Sequence, residues 1–289
     1  MRTANINKAQ ALRCPDGLKE ATPFGCGQCL PCRINAARVW THRLLLEGAV
    51  NEESCFVTLT YEDMPEDGDV SKVTLQKFIK RLRRNHYEKI RYFGVGEYGS
   101  RSGRPHYHII LFGIGLLHHK SIKDAWNASE GAGFVHLGDF NKDTARYVTG
   151  YCVKKLTRPG DKGLLAVDGY EHAPEFMICS QGIGKKAVVK LANDIKKNKY
   201  SNVKGVIREL KYGKRKRLPL GRYLTKVFAD EMGIDEYTMA SELREYQEQL
   251  LGEHCENDTS YYCSIVDSKA QARKNQAAKQ KTFKKREKI

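Results

Sequence analysis

The sequence predicts an α+β fold: a central antiparallel sheet with a split β-α-β arrangement and helices on one face, followed by a mostly helical, basic C-terminal region. A run rich in β-branched and aromatic residues, 54–61, is typical of a buried strand. Two further strand-like runs, 90–98 and 105–112, flank a short polar loop and predict a hairpin. Apolar residues from Val73 to Leu82 recur at helical spacing between the first strand and this hairpin. A helix that joins a strand to an antiparallel hairpin is typical of a split β-α-β arrangement.

The remaining elements show the same two patterns. The predicted core also contains helices at about 33–50, 121–127 and 143–155 and a strand near 134–137. Beyond Gly160 the pattern weakens, which indicates an appended region with helices near 185–197 and 235–252. The predicted domains are a Cys-rich segment with a helix (1–50), a core (51–160), an appended region that completes or flanks the core (161–264), and a basic tail for which disorder and a solvated face are both open (265–289).

Composition excludes several classes of protein. An apolar fraction of 40% in 289 residues is ordinary for a packed globular protein. Met1–Gln10 contains no apolar run of signal-peptide length, and no stretch reaches the about eighteen apolar residues of a transmembrane helix. We therefore expect a soluble, cytoplasmic protein that does not act at a membrane. Nine cysteines, an odd number without a secretion signal, favour reduced thiols over a disulfide framework.

The formal net charge of +16 indicates a polyanionic partner, and two segments account for it. Lys196–Arg217 holds ten Lys or Arg residues and one acid, and Lys269–Ile289 holds nine and one acid. Each Lys or Arg placed beside a phosphate displaces a condensed counterion, so basic residues are candidate nucleic-acid contacts. The predicted contacts are Arg101, Arg104, Lys155, Lys214, Arg215, Lys216 and Arg217.

The strongest local signal lies in the predicted strand at 105–112. Side chains alternate faces along a strand, so His106 and His108 project to the same side and can grip one metal ion. The hairpin brings Glu97 of the preceding strand beside this pair. Two nitrogens and one oxygen with open positions suit Mg²⁺ or Mn²⁺ bound together with a phosphate. The alternative is a pair of half-exposed histidines without a metal.

A second signal lies on the predicted helix at 143–155. Residues four apart are neighbours on a helix, so Tyr147 and Tyr151 share a face that Lys154 or Lys155 continues. The alternative is a pair of core aromatics. A core stripe rarely extends into two lysines, however, and a glycine within the helix costs stability that packing does not explain. By itself the pair is more typical of a core, and these two features keep a reactive face open beside that interpretation.

Together the two signals indicate transfer of a phosphate to a tyrosine. A free tyrosine has a pKa of about 10 and attacks poorly at neutral pH unless the phosphate is polarised or the proton is withdrawn. A divalent ion on the carboxylate and two imidazoles would stabilise charge on the scissile phosphate, and Lys154 would help to neutralise it. The expected product is a 5′-phosphotyrosine with a free 3′-hydroxyl. Two tyrosines would allow one to hold an end while the other attacks the next junction.

Four blocks of the sequence point to one family in combination. They are Cys26–Arg33 with Trp40–Arg43, Phe56–Tyr61, Gly96–Gly99 with Gly103–His108, and Tyr147–Lys155. In these blocks, which span about half of the chain, the sequence resembles rolling-circle replication initiators of the HUH endonuclease superfamily. The resemblance is to the initiators of gokushoviruses, the single-stranded DNA bacteriophages of the Microviridae.

The resemblance implies an HUH endonuclease-like core, the metal ligands named above, and Tyr147 and Tyr151 as nucleophiles. Some related initiators carry a lysine three residues after the attacking tyrosine. Only Tyr151 meets that pattern, through Lys154, so the resemblance ranks Tyr151 first. The implied function is to nick single-stranded origin DNA and rejoin its ends during rolling-circle replication in the cytoplasm of a bacterial host.

A cysteine cluster near the N-terminus is a candidate zinc site. Cys26, Cys29 and Cys32 repeat at C-x₂-C-x₂-C spacing, and Cys14 could complete a four-thiolate set for structural Zn²⁺. Zinc ribbons usually pair two separated C-x-x-C knuckles. Because this sequence has one triplet, unliganded thiols are the alternative.

Two other functions are consistent with the sequence. A plasmid or transposon relaxase would share the His-x-His strand and the tyrosine helix. A non-catalytic nucleic-acid-binding protein would hold phosphates with its basic segments and stack its rings on bases. Because no G-x-x-x-x-G-K-[ST] phosphate-binding motif occurs, we expect a host helicase to unwind the duplex and a host polymerase to copy it.

Overall fold

The computed structural model describes residues 30–99, 102–129, 131–151, 172–197, 207, 209–212, 216–235, 238 and 241. The helices and strands of these residues are α1 (Leu30–Gly48), β1 (Ser54–Tyr61), α2 (Lys72–Arg84), β2 (Arg91–Tyr98), β3 (Pro105–Phe112), a 3₁₀ turn (Leu116–His118), α3 (His119–Asn127), β4 (Ala132–Asp139), α4 (Lys142–Gly150), β5 (Phe176–Cys179), α5 (Lys185–Lys197), β6 (Glu209–Tyr212), β7 (Lys216–Pro219) and α6 (Gly221–Met232). None of the helices described is both long enough and apolar enough to cross a bilayer.

The chain divides into two units. One comprises Met1–Ala36, Ser201–Val206 and Met232–Ile289, and the other comprises Ala37–Tyr200 and Ile207–Glu231. In the described part of the first unit, a turn is closed by the Asp235 carboxylate. It accepts hydrogen bonds from the backbone N–H and the hydroxyl of Thr238, at 2.7 and 2.8 Å. The second unit contains the sheet and the predicted catalytic core.

The larger sheet has five strands in the order β4-β1-β3-β2-β5, and every neighbouring pair is antiparallel. Both β1 and β2 run antiparallel to β3, which lies between them, so β1 and β2 are parallel to each other. Because α2 connects these two parallel strands, the predicted α+β class and split β-α-β arrangement are confirmed. The strands β6 and β7 form a separate antiparallel pair.

Helices cover both faces of the large sheet, whereas the sequence predicted helices on one face. On the first face, Tyr107 and its neighbours pack against α2 and α3, in a core that includes Trp126. On the second face, Phe56 and its neighbours pack against Leu44 of α1 and Val148 of α4. The prediction was wrong because β3 is buried at nearly every position, and a strand buried on both sides must be covered on both sides.

Among the described residues, three strands and one α-helix were not predicted. The strand β5 is four residues long, too short for its periodicity to be visible, and it forms by pairing with β2. The hairpin of β6 and β7 lies in the basic segment, where charge hides any apolar alternation. The helix α6 follows it directly. The helix predicted at 235–252 lies outside the described residues apart from positions 235, 238 and 241, and so does the whole tail at 265–289.

The helix α2 lies close against β2 because Gly94 has no side chain. A Cβ atom at Gly94 would lie 2.9 Å from Cδ2 of Leu75, which is fully buried. The helix begins after Ser71, whose hydroxyl accepts a hydrogen bond from the backbone N–H of Thr74 at 3.2 Å. This packing fixes α2 on one face of β2. The opposite face of the same strand carries Glu97.

Replacing Leu75 with alanine tests this packing. We expect Leu75→Ala to lower the free energy of unfolding by about 2–5 kcal/mol, because the strand glycine leaves a cavity that no side chain can fill. Val73→Ala is the matched control, since Val73 is 55% exposed on the same helix, and we expect a change within about 0.5 kcal/mol. Urea unfolding followed by circular dichroism measures both. Equal losses in the two variants would contradict the packing described.

Candidate metal centre

The strands β2 and β3 bring three ligand side chains to one point on the second face of the sheet. In the ladder, Glu97 lies directly opposite His106, and His108 follows two residues later on the same face. The Glu97 Oε1 atom lies at hydrogen-bonding distance from both rings, 2.8 Å from Nε2 of His106 and 3.1 Å from Nε2 of His108. The three ligand atoms lie within 4.8 Å of one another. This group is able to hold one metal ion.

Two of the three ligand side chains are almost completely buried. Glu97 is 3% exposed and His108 is 5% exposed, while His106 is partly open to solvent. A buried carboxylate costs free energy unless it is hydrogen-bonded, paired with a positive charge or bound to a metal. The two imidazoles meet that requirement when their Nε2 atoms carry protons. A divalent cation seated among the same three atoms would meet it when they do not.

The second nitrogen of each imidazole is anchored away from the centre. His108 Nδ1 lies 2.9 Å from Oγ1 of Thr58, which is directly opposite it on β1. His106 Nδ1 donates to the backbone carbonyl of Arg104 at 3.1 Å. Metal-binding histidines usually have the second nitrogen held in this way, because it orients the ring and leaves the other nitrogen for the metal. The three residues therefore fit a divalent ion in donor type, spacing and orientation.

Thr58 is a site residue that the sequence reasoning missed. Its signal was present in the strand Ser54–Tyr61, where polar Thr58 and Thr60 alternate with apolar residues. Alternation shows that the two threonines share a face. It does not show which strand lies beside that face, so the contact with His108 could not be derived.

The helix α4 is held at both ends. At its start, the Asn141 side chain accepts from the backbone N–H of Thr144 at 3.0 Å, and the Thr144 hydroxyl accepts from the backbone N–H of Asn141 at 2.9 Å. This capping box begins the helix directly after β4. Near its end, the hydroxyls of Thr149 and Thr41 lie 2.7 Å apart in the buried contact with α1. These contacts fix which side of α4 faces the sheet.

Both predicted tyrosines contact the imidazole of His108. The Tyr147 hydroxyl lies 3.2 Å from Nε2 of His108, the same nitrogen that faces Glu97. The ring of Tyr151, which caps the described end of α4, stacks on His108 with centroids 5.6 Å apart and planes at 14°. The two phenol rings meet edge to face at 5.5 Å. The structure thus brings both tyrosines and the three metal-ligand candidates together.

The two phenols differ in environment. Tyr147 is 50% exposed and Tyr151 is 7% exposed. Burial, and after it the negative charge of Glu97, raise the pKa of the Tyr151 phenol above its ordinary value. Tyr151 packs with the apolar residues of the second face, and its phenol is hydrogen-bonded to Glu97, whereas Tyr147 is open to an incoming ligand.

Among the predicted DNA contacts, Arg104 is described in full. Its guanidinium is exposed and donates to the backbone carbonyls of Tyr61 at 3.3 Å and Glu62 at 2.5 Å, so it supports the turn that follows β1. The following predicted site residues lie outside the described residues, wholly or by their side chains: Cys14, Cys26, Cys29, Cys32, Arg101, Lys154, Lys155, Lys214, Arg215, Lys216 and Arg217.

The part of the chain that holds the site is similar to known replication proteins. Residues 54–156 match the model of a family described as replication-associated protein ORF2, and this segment contains the three ligand candidates and both tyrosines. The chain is 29% identical over 191 residues to replication-associated protein VP4 of Bdellovibrio phage phiMH2K. It is 31% identical over 195 residues to replication-associated protein ORF2 of Spiroplasma virus 4. It is 35% identical over 96 residues to replication-associated protein ORF4 of Chlamydia phage 1.

These alignments confirm the resemblance to replication proteins of small phages. They cover 58%, 56% and 32% of this chain and 58%, 55% and 24% of the relatives. The chain therefore spans about half the length of the two relatives with the longest of these alignments. No solved structure matches the chain.

Thr58→Val tests how His108 is held. The substitution removes the hydroxyl beside Nδ1 and keeps the volume of the side chain, so we expect Mn²⁺ to bind about 10- to 100-fold more weakly. Isothermal titration calorimetry measures the affinity. Thr58→Ser, which keeps the hydroxyl, should bind Mn²⁺ like the unmodified protein. Unchanged affinity in Thr58→Val would show that the threonine does not orient the ring.

Proposed function

We propose that this protein initiates rolling-circle replication as a metal-dependent DNA endonuclease and strand transferase of the HUH type. It cuts single-stranded DNA at an origin with a tyrosine, stays attached to the 5′ phosphate, and later rejoins the ends. One arrangement supports this function above all: an exposed phenol lies 3.2 Å from an imidazole of a three-ligand group that fits a divalent ion. The similarity to replication-associated proteins of phages supports origin DNA as the substrate.

Glu97, His106 and His108 would hold the ion, which is Mg²⁺ or Mn²⁺ by its mixed nitrogen and oxygen ligands. When bound there, it would polarise the scissile phosphate and stabilise the charge that develops on its oxygens. The protein contributes the orientation of the two imidazoles, through Thr58 and the Arg104 carbonyl. It also contributes the burial that strengthens their electrostatic effect.

The tyrosine carries the covalent step. Its phenol oxygen forms a bond to phosphorus while the bond from phosphorus to the 3′ oxygen breaks. The phenol loses its proton to solvent, and the departing 3′ oxygen takes up a proton to become a hydroxyl. Because one phosphodiester replaces another, the energy of the cleaved bond is retained, and attack by a 3′-hydroxyl on the phosphotyrosine rejoins the strand without ATP.

The exposure of the two phenols leads us to assign their order. The spacing to Lys154 favours Tyr151 as the first nucleophile, but Tyr151 is 7% exposed and Tyr147 is 50% exposed. Because Tyr147 is the more exposed phenol and lies beside His108, a phosphate at the metal centre would reach it first. In our proposal Tyr147 makes the first cut and holds the 5′ end, and Tyr151, aided by Lys154, attacks the next junction.

The other parts of the proposal rest on the sequence. Arg101, Arg104, Lys155 and the basic run Lys214–Arg217 are proposed to hold DNA phosphates. Structural Zn²⁺ on the N-terminal cysteine cluster is proposed beside the alternative of unliganded thiols. The proposed partners are origin DNA, a host helicase and a host polymerase, and the proposed site of action is the cytoplasm of the bacterial host.

A covalent adduct tests the reaction class. A single-stranded oligonucleotide with an origin-like hairpin is labelled at its 3′ end, because the fragment that carries the new 5′ phosphate stays on the protein. With Mn²⁺ we expect a labelled protein band in a denaturing gel, and none with EDTA. His106→Ala should abolish this band with only a modest loss of DNA affinity, because it removes a ligand and no phosphate contact.

The control for this experiment is His118→Ala, which changes a histidine outside the candidate site and should leave the band intact. A native gel shift without any covalent band in the unmodified protein would favour the non-catalytic nucleic-acid-binding alternative. An unchanged band in His106→Ala would remove that histidine from the metal site.

Single phenylalanine substitutions test the order of the tyrosines. We expect Tyr147→Phe to abolish the first adduct and Tyr151→Phe to form it but fail to transfer the strand to a second origin. Mass spectrometry of the labelled peptide after one turnover identifies the phenol that carries the phosphate. The reverse pattern would support the order that the lysine spacing favours, with Tyr151 first.

A further inference from the structure

An exposed aromatic ring stands on the open part of the sheet beside the candidate metal centre. Phe134 of β4 is 83% exposed. Its neighbour along the strand, Val135, packs against the apolar core of the first face, so Phe134 projects from the second face. A phenylalanine this exposed in a strand has no role in the core.

The strand register places Phe134 on the same face as the metal-ligand candidates. Thr58 of β1 lies opposite both His108 on β3 and His136 on β4. Residues opposite each other in an antiparallel pair share a face, so His136 faces the same side as His108. Phe134 lies two residues from His136 and shares that side.

The ring of Phe134 lies at a β-bulge in β4. Between the pairs made by Leu59 and Tyr61, the ladder shifts so that Gly133 and Phe134 both lie opposite the single residue Thr60. The Thr60 hydroxyl accepts from the backbone N–H of Phe134 at 3.0 Å and donates to its carbonyl at 3.2 Å. A Cβ atom at Gly133 would lie 2.5 Å from the backbone nitrogen of Glu62, so the bulge requires glycine there. Bulges often re-aim side chains beside active sites.

We propose that Phe134 is a stacking platform for a nucleobase of the single-stranded DNA that enters the metal centre. This proposal rests on the proposed function and names how its substrate is held. Bases of single-stranded DNA stack on exposed aromatic rings whatever their sequence, because every base has a π-face. Phe134 would therefore position the strand without selecting a sequence.

The surroundings of the ring favour DNA as its occupant. The surface between Phe134 and His106 is formed by Thr60, whose opposite neighbour on β3 is His106. Two strand spacings separate β4 from β3, about 10 Å, so a base stacked on Phe134 would lie close to a phosphate bound at the metal centre. The half-exposed phenol of Tyr147 opens onto the same face. A single ring beside threonine and histidine suits a polar, charged strand better than an apolar protein partner.

The experiment measures binding to a fluorescein-labelled single-stranded oligonucleotide in EDTA, so that affinity is independent of cleavage. We expect Phe134→Leu and Phe134→Ser to weaken binding about 5- to 100-fold, and Phe134→Tyr to bind like the unmodified protein. Tyr87→Ser is the matched control, since Tyr87 is a fully exposed aromatic residue in the turn between α2 and β2. It should leave affinity unchanged. Oligonucleotides with 2-aminopurine at successive positions should show one position whose fluorescence is quenched by the unmodified protein and not by Phe134→Leu.

Wild-type affinity in Phe134→Leu, with the same quenching pattern, would overturn the proposal. So would variants that lose self-association on a sizing column with light scattering while they keep their DNA affinity, because Phe134 would then contact a second copy of the chain. Adduct formation by the unmodified protein is scored separately. Loss of affinity in Phe134→Leu without any adduct in the unmodified protein would support the stacking platform and refute the nicking function.

Discussion

The register of three strands is the constraint on which the candidate site depends. Because β3 pairs with β1 on one side and with β2 on the other, Thr58, His108 and Glu97 reach one face of the sheet. The period of a strand is two residues, so a slip of one residue in the ladder with β1 or with β2 would send Thr58 or Glu97, respectively, to the face opposite His108. The apolar residues of the first face resist such a slip, since it would expose them to water. The apolar packing of the first face therefore keeps the metal-ligand candidates in position on the second face.

The two faces of the five-stranded sheet are formed by the same strands, but the first face forms a core and the second face carries the candidate site. On the first face, Tyr107 and Leu59 are fully buried under α2 and α3. On the second face, α1 and α4 cover the apolar end of the sheet, and the end with His106 and Thr60 is less covered. A sheet covered completely on both faces would be more stable, but it would leave no surface for a substrate. The partial cover allows a buried carboxylate and an exposed phenol to lie within a few ångströms of each other.

The helix α4 adds the second half of the site, and its position depends on contacts remote from the metal centre. The capping box at Asn141 sets where the helix begins, and the Thr149 contact with α1 sets its rotation. With both fixed, residues four apart give two phenols in unlike surroundings, one in solvent and one in the core. The two tyrosines, although chemically identical, therefore differ in how easily a substrate can reach them. The bulge at Gly133 extends the same open surface to the edge strand.

Local periodicity in the sequence was enough to determine the strands β1 to β4, the hairpin, the shared face of His106 and His108 with Glu97 beside them, and the shared face of the two tyrosines. These features involve residues close in sequence, so strand alternation, helical spacing and one short loop specify them. Only the tertiary structure decided that α4 lies on the histidine face, that Thr58 holds His108, that helices cover both sides of the sheet, and that Phe134 stands beside the site. Each of these depends on the order in which distant strands pair. A two-residue or four-residue period carries no information about that order.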